Sequence, residues 1–325
     1  MTKGRFAAAI LIALVLLAVL PTSASAWTPG THIFLGDSVL ANLIQLPSAV
    51  ADLLRAFPYD FLYGNIAADT SIAKKYAPVG RHCHSWNVAS EILDSADSGP
   101  LRSFAWGYMS HLAADTVAHN FYVPFQLVVT SRTIALGHSY WESRFEAHLG
   151  ESYATAAMDI VRQDHSNANA HLDRILAPTI FSVRTGRRLF RGMVGVTETQ
   201  SWHSAFRVLA ANSRWDLEPE VIERHMAAAF QLVMEVLSGS DSIAKKLDPS
   251  GESSMHLAKR NRLDVMRNRV LGDQAALQAL AQESFGLPEW EVPFWEICEA
   301  ENPWQTRDGF LGPAGLRLER RKSRG

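Results

Sequence analysis

Residues 106–124, WGYMSHLAADTVAHNFYVP, predict a buried helix that carries its polar side chains on one face. His111, Asp115 and His119 are four residues apart, and each step of four turns an α-helix by only about 40°. Small and apolar residues surround the three side chains, which lowers the dielectric around an ion. Imidazoles and a carboxylate that converge on one point suit zinc or a similar divalent ion. A buried Asp–His hydrogen bond without metal is the simpler alternative.

Helical periodicity dominates the remaining sequence, whereas the two-residue alternation of strands is scarce. Apolar residues make up 47% of the chain, enough for a sizeable core. We therefore predict an all-α fold with one main domain over residues 27–298 and an irregular, basic tail over residues 299–325. The predicted helices cover residues 33–57 with a break at Pro47, 101–129 with a bend near Pro124, 142–162, 219–237 and 255–282, the last as one helix or a pair.

The N-terminus has the layout of a secretory signal peptide. Lys3 and Arg5 precede an apolar run over residues 6–20, and Ala24-Ser25-Ala26 forms a cleavage motif. The run is shorter than the roughly 20 residues that a membrane-spanning helix needs, although an uncleaved anchor is the alternative. We expect a signal peptide over residues 1–26, cleavage after Ala26, and a secreted or periplasmic protein.

Charge and cysteine content exclude several classes of function. The net charge of −2 gives no support for nucleic-acid binding. Two cysteines do not make a disulfide scaffold, although oxidation after export could join them. The sequence has no nucleophile elbow, P-loop or dinucleotide-binding glycine motif, which weighs against serine hydrolases, nucleotide-triphosphate enzymes and Rossmann proteins.

Three further groups of residues could bind metal. His138 and Glu142 are four residues apart and would share one helical face, where they could bind metal. The alternative is a surface His–Glu pair without metal. Asp69 lies among small apolar residues, where a buried carboxylate needs a partner such as a metal ion. The alternative is that Asp69 caps a helix or turn. His82 and His84 flank Cys83, and we expect only one of them to be a ligand. His32 lies near the predicted new N-terminus, whose α-amino group could also bind metal. We expect Glu146 and His148 to be solvated, and the other histidines to be structural or at the surface.

Nine positions along the chain together resemble the zinc-dependent phospholipase C family, which belongs to one fold superfamily with the P1-type nucleases. The resemblance implies an all-helical domain with a cluster of two to three zinc ions. One ion would bind Asp69, His84, His111 and Asp115, with His84 preferred over His82 because CHSW fits the family context best. A second would bind His119, His138 and Glu142. The third would bind the α-amino nitrogen and carbonyl oxygen of Trp27, His32, and Asp115 as a bridge. The interval from Asp115 to His119 is shorter than the family's usual one.

The resemblance also implies the chemistry. We expect an exported hydrolase that cleaves phospholipid head-group phosphodiesters with metal-activated water, with Asp69 orienting or deprotonating the water. Its partner would be a phospholipid or membrane surface, and no protein partner is evident. A P1-type nuclease or nucleotidase on the same scaffold is the alternative, with Arg81, Arg132 and Arg144 contacting phosphate. A non-catalytic zinc-binding module is a further alternative.

Overall fold

The computed structural model describes residues 27–71, 77, 81–130, 134–149, 151–176, 182–197, 199–267 and 274–298. The predicted signal peptide and the predicted basic tail lie outside the described residues. In these ranges every regular element is a helix and none is a strand, so the prediction of an all-α fold is confirmed. None of the helices in the described ranges combines the length and apolar character that crossing a bilayer requires.

Among the described residues, those from 29 to 149 form seven α-helices, with short 3-10 turns between some of them. Their bounds are α1 Pro29–Ala41, α2 Ser48–Ala56, α3 Pro58–Ala67, α4 Trp86–Asp94, α5 Gly99–Val117, α6 Val123–Thr130 and α7 Ile134–Leu149. A 3-10 turn at Ala68–Thr70 follows α3, and a π-helical turn at Ala118–Tyr122 joins α5 to α6. Two of these helices, α1 and α3, begin at proline, which fits the first helical position because an N–H there would have no intrahelical partner.

The second half is helical as well. It contains α8 Glu151–Val161, α9 Ser166–Ile175, α10 Val183–Thr197, α11 Gln200–Ala211, α12 Pro219–Leu237, α13 Glu252–Arg267, α14 Gln274–Phe285 and α15 Pro293–Glu296. The predicted helix over residues 219–237 is confirmed at both ends. The prediction of one helix over 142–162 is wrong, because α7 and α8 divide that range. The described part of the range 255–282 lies in two helices, α13 and α14, and the break at Pro47 is present.

Helix α5 is the centre of the fold and is buried on nearly every side. A helix that exposes no face to solvent must be enclosed by other helices. The largest contacts with α5 are made by α3 and α12. Gly64 of α3 and Gly107 of α5 let the backbones approach. A Cβ atom on Gly107 would lie 2.0 Å from the carbonyl oxygen of Phe61, and one on Gly64 would lie 2.1 Å from that of Phe104. The close crossing brings the end of α3 next to the polar residues of α5.

The irregular turn after α5 lies earlier than the sequence indicated. We predicted a bend near Pro124, but the helical hydrogen bonding changes at Ala118–Tyr122, and Pro124 lies in the first turn of α6. A π turn adds backbone relative to an α-helix and commonly occurs at functional positions. Here it carries His119, so the third polar residue of the α5 pattern leaves the helix that carries the first two.

Candidate metal centre

His111 and Asp115 form the middle of a buried polar cluster on the last turns of α5. Their separation of four residues brings His111 Nε2 within 3.2 Å of Asp115 Oδ2. Neither side chain is exposed to solvent. Burial of a carboxylate at this depth is costly unless it is paired, and Asp115 meets imidazoles from three elements of the fold.

The turn after α3 and the segment before α4 supply the next two residues. Asp69 lies on the 3-10 turn at Ala68–Thr70, which the glycine contact between α3 and α5 holds near His111. His84 Nε2 lies 3.3 Å from Asp69 Oδ1 and 2.9 Å from Asp115 Oδ2. Donor atoms of Asp69, His84 and His111 all lie within 4.8 Å of one another. Together with Asp115, these are the residues that the resemblance assigns to the first zinc.

His32, from α1, approaches Asp115 on the other carboxylate oxygen. Its Nε2 lies 3.2 Å from Asp115 Oδ1, and its ring stacks on His111 with the ring centres 3.9 Å apart. His32, His111 and Asp115 form a second group with metal-ligand spacing. Asp115 thus presents one oxygen to each group, which is the arrangement that a bridging carboxylate needs.

His119, His138 and Glu142 form a separate group beside the first two. The last two are four residues apart on α7, and His138 Nε2 lies 2.5 Å from Glu142 Oε1. His119 comes from the π turn, and its ring centre lies 5.2 Å from that of His138 and 6.3 Å from that of His84. The turn therefore moves His119 out of line with His111 and Asp115 and toward α7.

The outward ring nitrogens of these histidines face partners within the protein. Nδ1 of His111 donates to the carbonyl oxygen of Asn65 at 2.7 Å, and Nδ1 of His119 donates to that of Pro249 at 2.5 Å. A carbonyl oxygen can only accept, so Nδ1 carries the proton and Nε2 presents a lone pair to the cluster. Such outer contacts orient imidazole ligands in metal sites. Neither carbonyl could be recognised from sequence, since any residue offers one.

Electrostatics favour the protonation states that bind metal. Burial lowers the pKa of His32, with help from His111, and lowers that of His119 well below its usual value despite the attraction of Asp115. Burial alone would raise the pKa of Asp115, but His111 and the other imidazoles hold it well below its usual range. Glu142 is the exception, because burial raises its pKa to about 7 and so favours its protonated form near neutral pH. Neutral imidazoles and an ionised carboxylate are the forms that ligate cations.

Several buried polar atoms support the presence of an ion. Among the described residues, no hydrogen bond of acceptable geometry is formed by His32 Nδ1 or Nε2, either oxygen of Asp115, His119 Nε2 or Glu142 Oε1. Buried polar atoms normally have partners, and each one left without costs about 1–3 kcal/mol. His111 Nε2 also faces His84 Nε2 at 3.1 Å. Lone pairs that converge in this way fit divalent cations, so the residues fit the zinc that the resemblance implies.

Trp27, the first described residue, packs behind the cluster rather than at the surface. Its indole is fully buried between Tyr122 and Phe145, and Nε1 donates to the carbonyl oxygen of Ala114 at 3.1 Å. The residue next to Ala114 is Asp115, so the side chain ties the start of the described chain to the centre of the cluster. The proposed ligand role of its α-amino group stays a prediction.

The structure also bears on the expectations for His82 and His84, for Glu146 and for the two cysteines. His84, rather than His82, faces Asp69, while His82 Nδ1 accepts a hydrogen bond from the backbone of His84. His82, Cys83 and His84 nevertheless have metal-ligand spacing among themselves. The expectation that Glu146 is solvated is wrong, because its Oε2 accepts a hydrogen bond from the backbone N–H of Gly30 at 3.0 Å. The structure does not join Cys83 to Cys298 in a disulfide.

Two of the three arginines predicted to contact phosphate under the nuclease alternative, Arg81 and Arg144, have other partners. Arg81 pairs with Glu91 at the surface, and Arg144 is buried, donating to the hydroxyl oxygen of Tyr140 and the carbonyl oxygen of Trp215. Arg132 lies outside the described residues.

His165 and His171 are buried and hydrogen-bonded to backbone carbonyls, as expected for structural histidines.

Comparison with known proteins identifies one family. Residues 31–182 match the model of the family described as zinc dependent phospholipase C. The matched range contains every residue of the polar cluster from His32 to Glu142, but not Trp27 or the chain after residue 182. No curated protein matches the sequence, and no solved structure matches the fold.

Proposed function

Because residues 31–182 match the model of the zinc-dependent phospholipase C family, we propose that this protein is an exported zinc-dependent phosphodiesterase that hydrolyses phospholipid head-group phosphodiesters. The observation that carries the proposal is the position of Asp115, which presents one carboxylate oxygen to His32 and the other to His84 and His111. Together with His119, His138 and Glu142, these residues offer places for two to three ions. Asp69 completes the set.

Electrostatics make cations necessary for this activity. A phosphodiester is an anion, and the groups with metal-ligand spacing include the carboxylates of Asp69, Asp115 and Glu142. Without cations these carboxylates would repel it. Bound zinc supplies positive charge and lowers the pKa of coordinated water toward neutrality. The three residues His119, His138 and Glu142 leave room for a further, non-protein ligand in a four-coordinate site, which argues against a purely structural metal.

Asp69 is the residue that we assign to proton transfer. Its carboxylate is buried on a 3-10 turn, and its Oδ1 lies 3.3 Å from His84 Nε2 and 3.9 Å from His111 Nε2. The turn follows α3, which packs closely on α5, and this packing brings the carboxylate near His84 and His111. In our proposal Asp69 orients the attacking water and accepts its proton, while His84 and His111 stay neutral and hold cations.

Export and cleavage after Ala26 form part of the same proposal. Cleavage there would expose the α-amino group of Trp27 as a ligand close to His32. The buried indole of Trp27, anchored to Ala114, supports this arrangement because it would hold a new N-terminus against the cluster. The experiment is peptide sequencing of the exported protein's N-terminus. A mature chain that begins at another residue would remove Trp27 from the ligand set.

The proposed activity is tested by metal analysis followed by an assay. The protein that begins at Trp27, purified without chelator, is expected to hold two to three zinc ions per chain by elemental analysis. It should release phosphorylated head group from phosphatidylcholine vesicles, lose the activity on dialysis against a chelator, and regain it with added zinc. Fewer than two ions, or activity that survives complete removal of metal, would overturn the proposal.

Single-stranded DNA and a nucleoside monophosphate are the comparison substrates. Hydrolysis of these, with intact phosphatidylcholine, would instead establish the nuclease or nucleotidase alternative. Full metal content with no turnover of any of the substrates would favour the non-catalytic zinc-binding alternative.

A further inference from the structure

A turn from the second half of the chain contacts the metal cluster. Residues 247–251, LDPSG, connect a 3-10 turn at Ile243–Lys246 to α13 and lie outside the range that matches the family. Asn120, next to His119, donates from Nδ2 to the carbonyl oxygen of Asp248 at 2.8 Å. Ser254, in the first turns of α13, donates to Oδ1 of Asn120. We call residues 247–251 the 247–251 turn.

The contact reaches His119 itself. The carbonyl oxygen of Pro249 accepts a hydrogen bond from His119 Nδ1 at 2.5 Å, so the ring presents Nε2 to His138 and Glu142. His111 is oriented in the same way, because its Nδ1 donates to the carbonyl oxygen of Asn65 on α3. The 247–251 turn thus holds His119 from a distant part of the sequence as α3 holds His111.

Gly251 gives the turn its close approach to His119. Its φ of +60° is a left-handed conformation that residues with a side chain rarely adopt. A Cβ atom at this position would lie 2.3 Å from Cβ of His119 and 2.7 Å from its carbonyl oxygen. Both distances involve atoms fixed to the backbone, so a methyl group here must displace the turn or the π turn.

Other contacts keep the 247–251 turn rigid. Within it, Ser250 donates from its backbone N–H and from its hydroxyl to the carboxylate of Asp248. At its start, the indole Nε1 of Trp86 donates to the carbonyl oxygen of Leu247 at 3.1 Å. Trp86 begins α4, two residues after His84. The turn is therefore fastened on one side to the His84 segment and on the other to His119.

We propose that the 247–251 turn is a working part of the metal centre, which sets the tautomer and position of His119 for the ion shared with His138 and Glu142. The inference rests on the proposed function, because it assumes that these residues bind zinc. Its consequence is that the functional unit extends past the range that matches the family, to α13. Pro249 and Gly251 are positioning residues and need not touch substrate.

Two glycine variants test the proposal. Gly251→Ala should displace Pro249 from His119 and weaken zinc binding at that group about 10- to 100-fold, the usual effect of losing an outer contact to a ligand. Gly239→Ala is the matched control, because Gly239 also has a positive φ, of 74°, but among the described residues nothing lies within 4 Å of its added Cβ. Zinc content and chelator competition are measured for both variants and the natural protein.

The expected result is one fewer tightly held zinc in Gly251→Ala than in Gly239→Ala, with the same helical circular dichroism. Equal zinc content and affinity in the two variants would overturn the inference and leave the proposed function standing. A natural protein without zinc would instead overturn the proposed function.

If Gly251→Ala fails to fold, Trp86→Phe decides the question. This variant keeps an aromatic ring but removes the donor to Leu247, so it loosens the turn without adding an atom. It should weaken the same zinc by a smaller factor and leave the others unchanged. Unaltered zinc affinity in a folded Trp86→Phe protein would contradict the role of the turn.

Discussion

The carboxylate of Glu146 accepts a hydrogen bond of 3.0 Å from the backbone N–H of Gly30, which is 116 residues away in the sequence. Gly30 lies in the first turn of α1, whose N–H groups have no helical partners. A carboxylate at this end of a helix satisfies a donor and interacts favourably with the helix dipole. Glu146, one turn after Glu142 on α7, therefore fixes the helix that carries His32.

Replacing Glu146 should affect both stability and metal binding. We expect Glu146→Leu to lower the free energy of unfolding by about 1–3 kcal/mol, because it leaves a donor unsatisfied. It should also weaken the zinc held by His32. Glu146→Gln retains an accepting oxygen and should recover most of both properties. Denaturant unfolding and zinc titration measure the two effects, and equal behaviour of the Leu and Gln variants would contradict the hydrogen-bonding role.

Asp115 is expected to be the single residue whose loss affects two ions. Asp115→Ala should lower the zinc content by two ions per chain and abolish hydrolysis, because the carboxylate faces His32 with one oxygen and His84 and His111 with the other. Glu142→Ala, which touches only the group with His119 and His138, is the comparison and should cost one ion. Elemental analysis distinguishes them. Retained zinc and turnover in Asp115→Ala would refute the bridging role.

His82 and His84 should respond differently to the same substitution. His84→Gln is expected to remove zinc from the Asp69 group, since its Nε2 lies 3.3 Å from Asp69 Oδ1. His82→Gln should retain zinc there, because His82 is only half-buried and accepts a hydrogen bond from the backbone. Parallel zinc analyses provide the check. A greater loss in His82→Gln would assign the ligand to the other histidine.

The helix crossing at Gly107 should tolerate no side chain. Gly107→Ala would place a methyl group against the backbone of Phe61, and we expect a loss of about 3 kcal/mol or more of unfolding free energy. Gly192→Ala, on an exposed part of α10 with nothing described within 4 Å of the added atom, should instead stabilise by about 0.5–1 kcal/mol. Chemical unfolding of the two variants gives both values. Similar changes in both would show that the crossing is looser than the structure indicates.

Asp37 should make the stability of the protein depend on pH. Asp37 is not one of the proposed metal ligands. Burial raises the pKa of this half-buried residue of α1 to about 7 in the folded protein. The folded state then binds more protons than the unfolded state between pH ~4 and that value, so stability falls as pH rises through this interval, by at most about 1.4 kcal/mol per unit. Asp37→Asn cannot ionise. Its stability relative to the natural protein should therefore increase from pH 4 to pH 7 and stay level above it. Unfolding curves at pH 4.5 and 8 test this, and a constant difference would contradict the shift.

The local sequence pattern predicts two pairs of residues in the metal cluster. His111 and Asp115 are four residues apart on a helix, as are His138 and Glu142, and that spacing alone makes each pair converge. The resemblance to a family places these pairs in one cluster, although they are too far apart in the sequence for helical periodicity to relate them. The predictions that are wrong concern features that depend on tertiary packing. Glu146 was expected in solvent because its partner, Gly30, is on another helix, and a helix was expected to bend at Pro124 although the hydrogen bonding changes at Ala118–Tyr122.

By itself the sequence determined that this protein is helical, because apolar periodicity and a near absence of strand patterns act over short distances along the chain. It also determined which imidazoles and carboxylates could bind metal. Only the tertiary structure decided how they combine. The glycine crossing of α3 and α5 sets Asp69 beside His84, the π turn sends His119 to α7, and Pro249 and Asn65 fix two ring tautomers through backbone carbonyls. Every residue has a backbone carbonyl, so the sequence cannot show which one will accept a hydrogen bond from a histidine. That choice is made only when distant segments pack together.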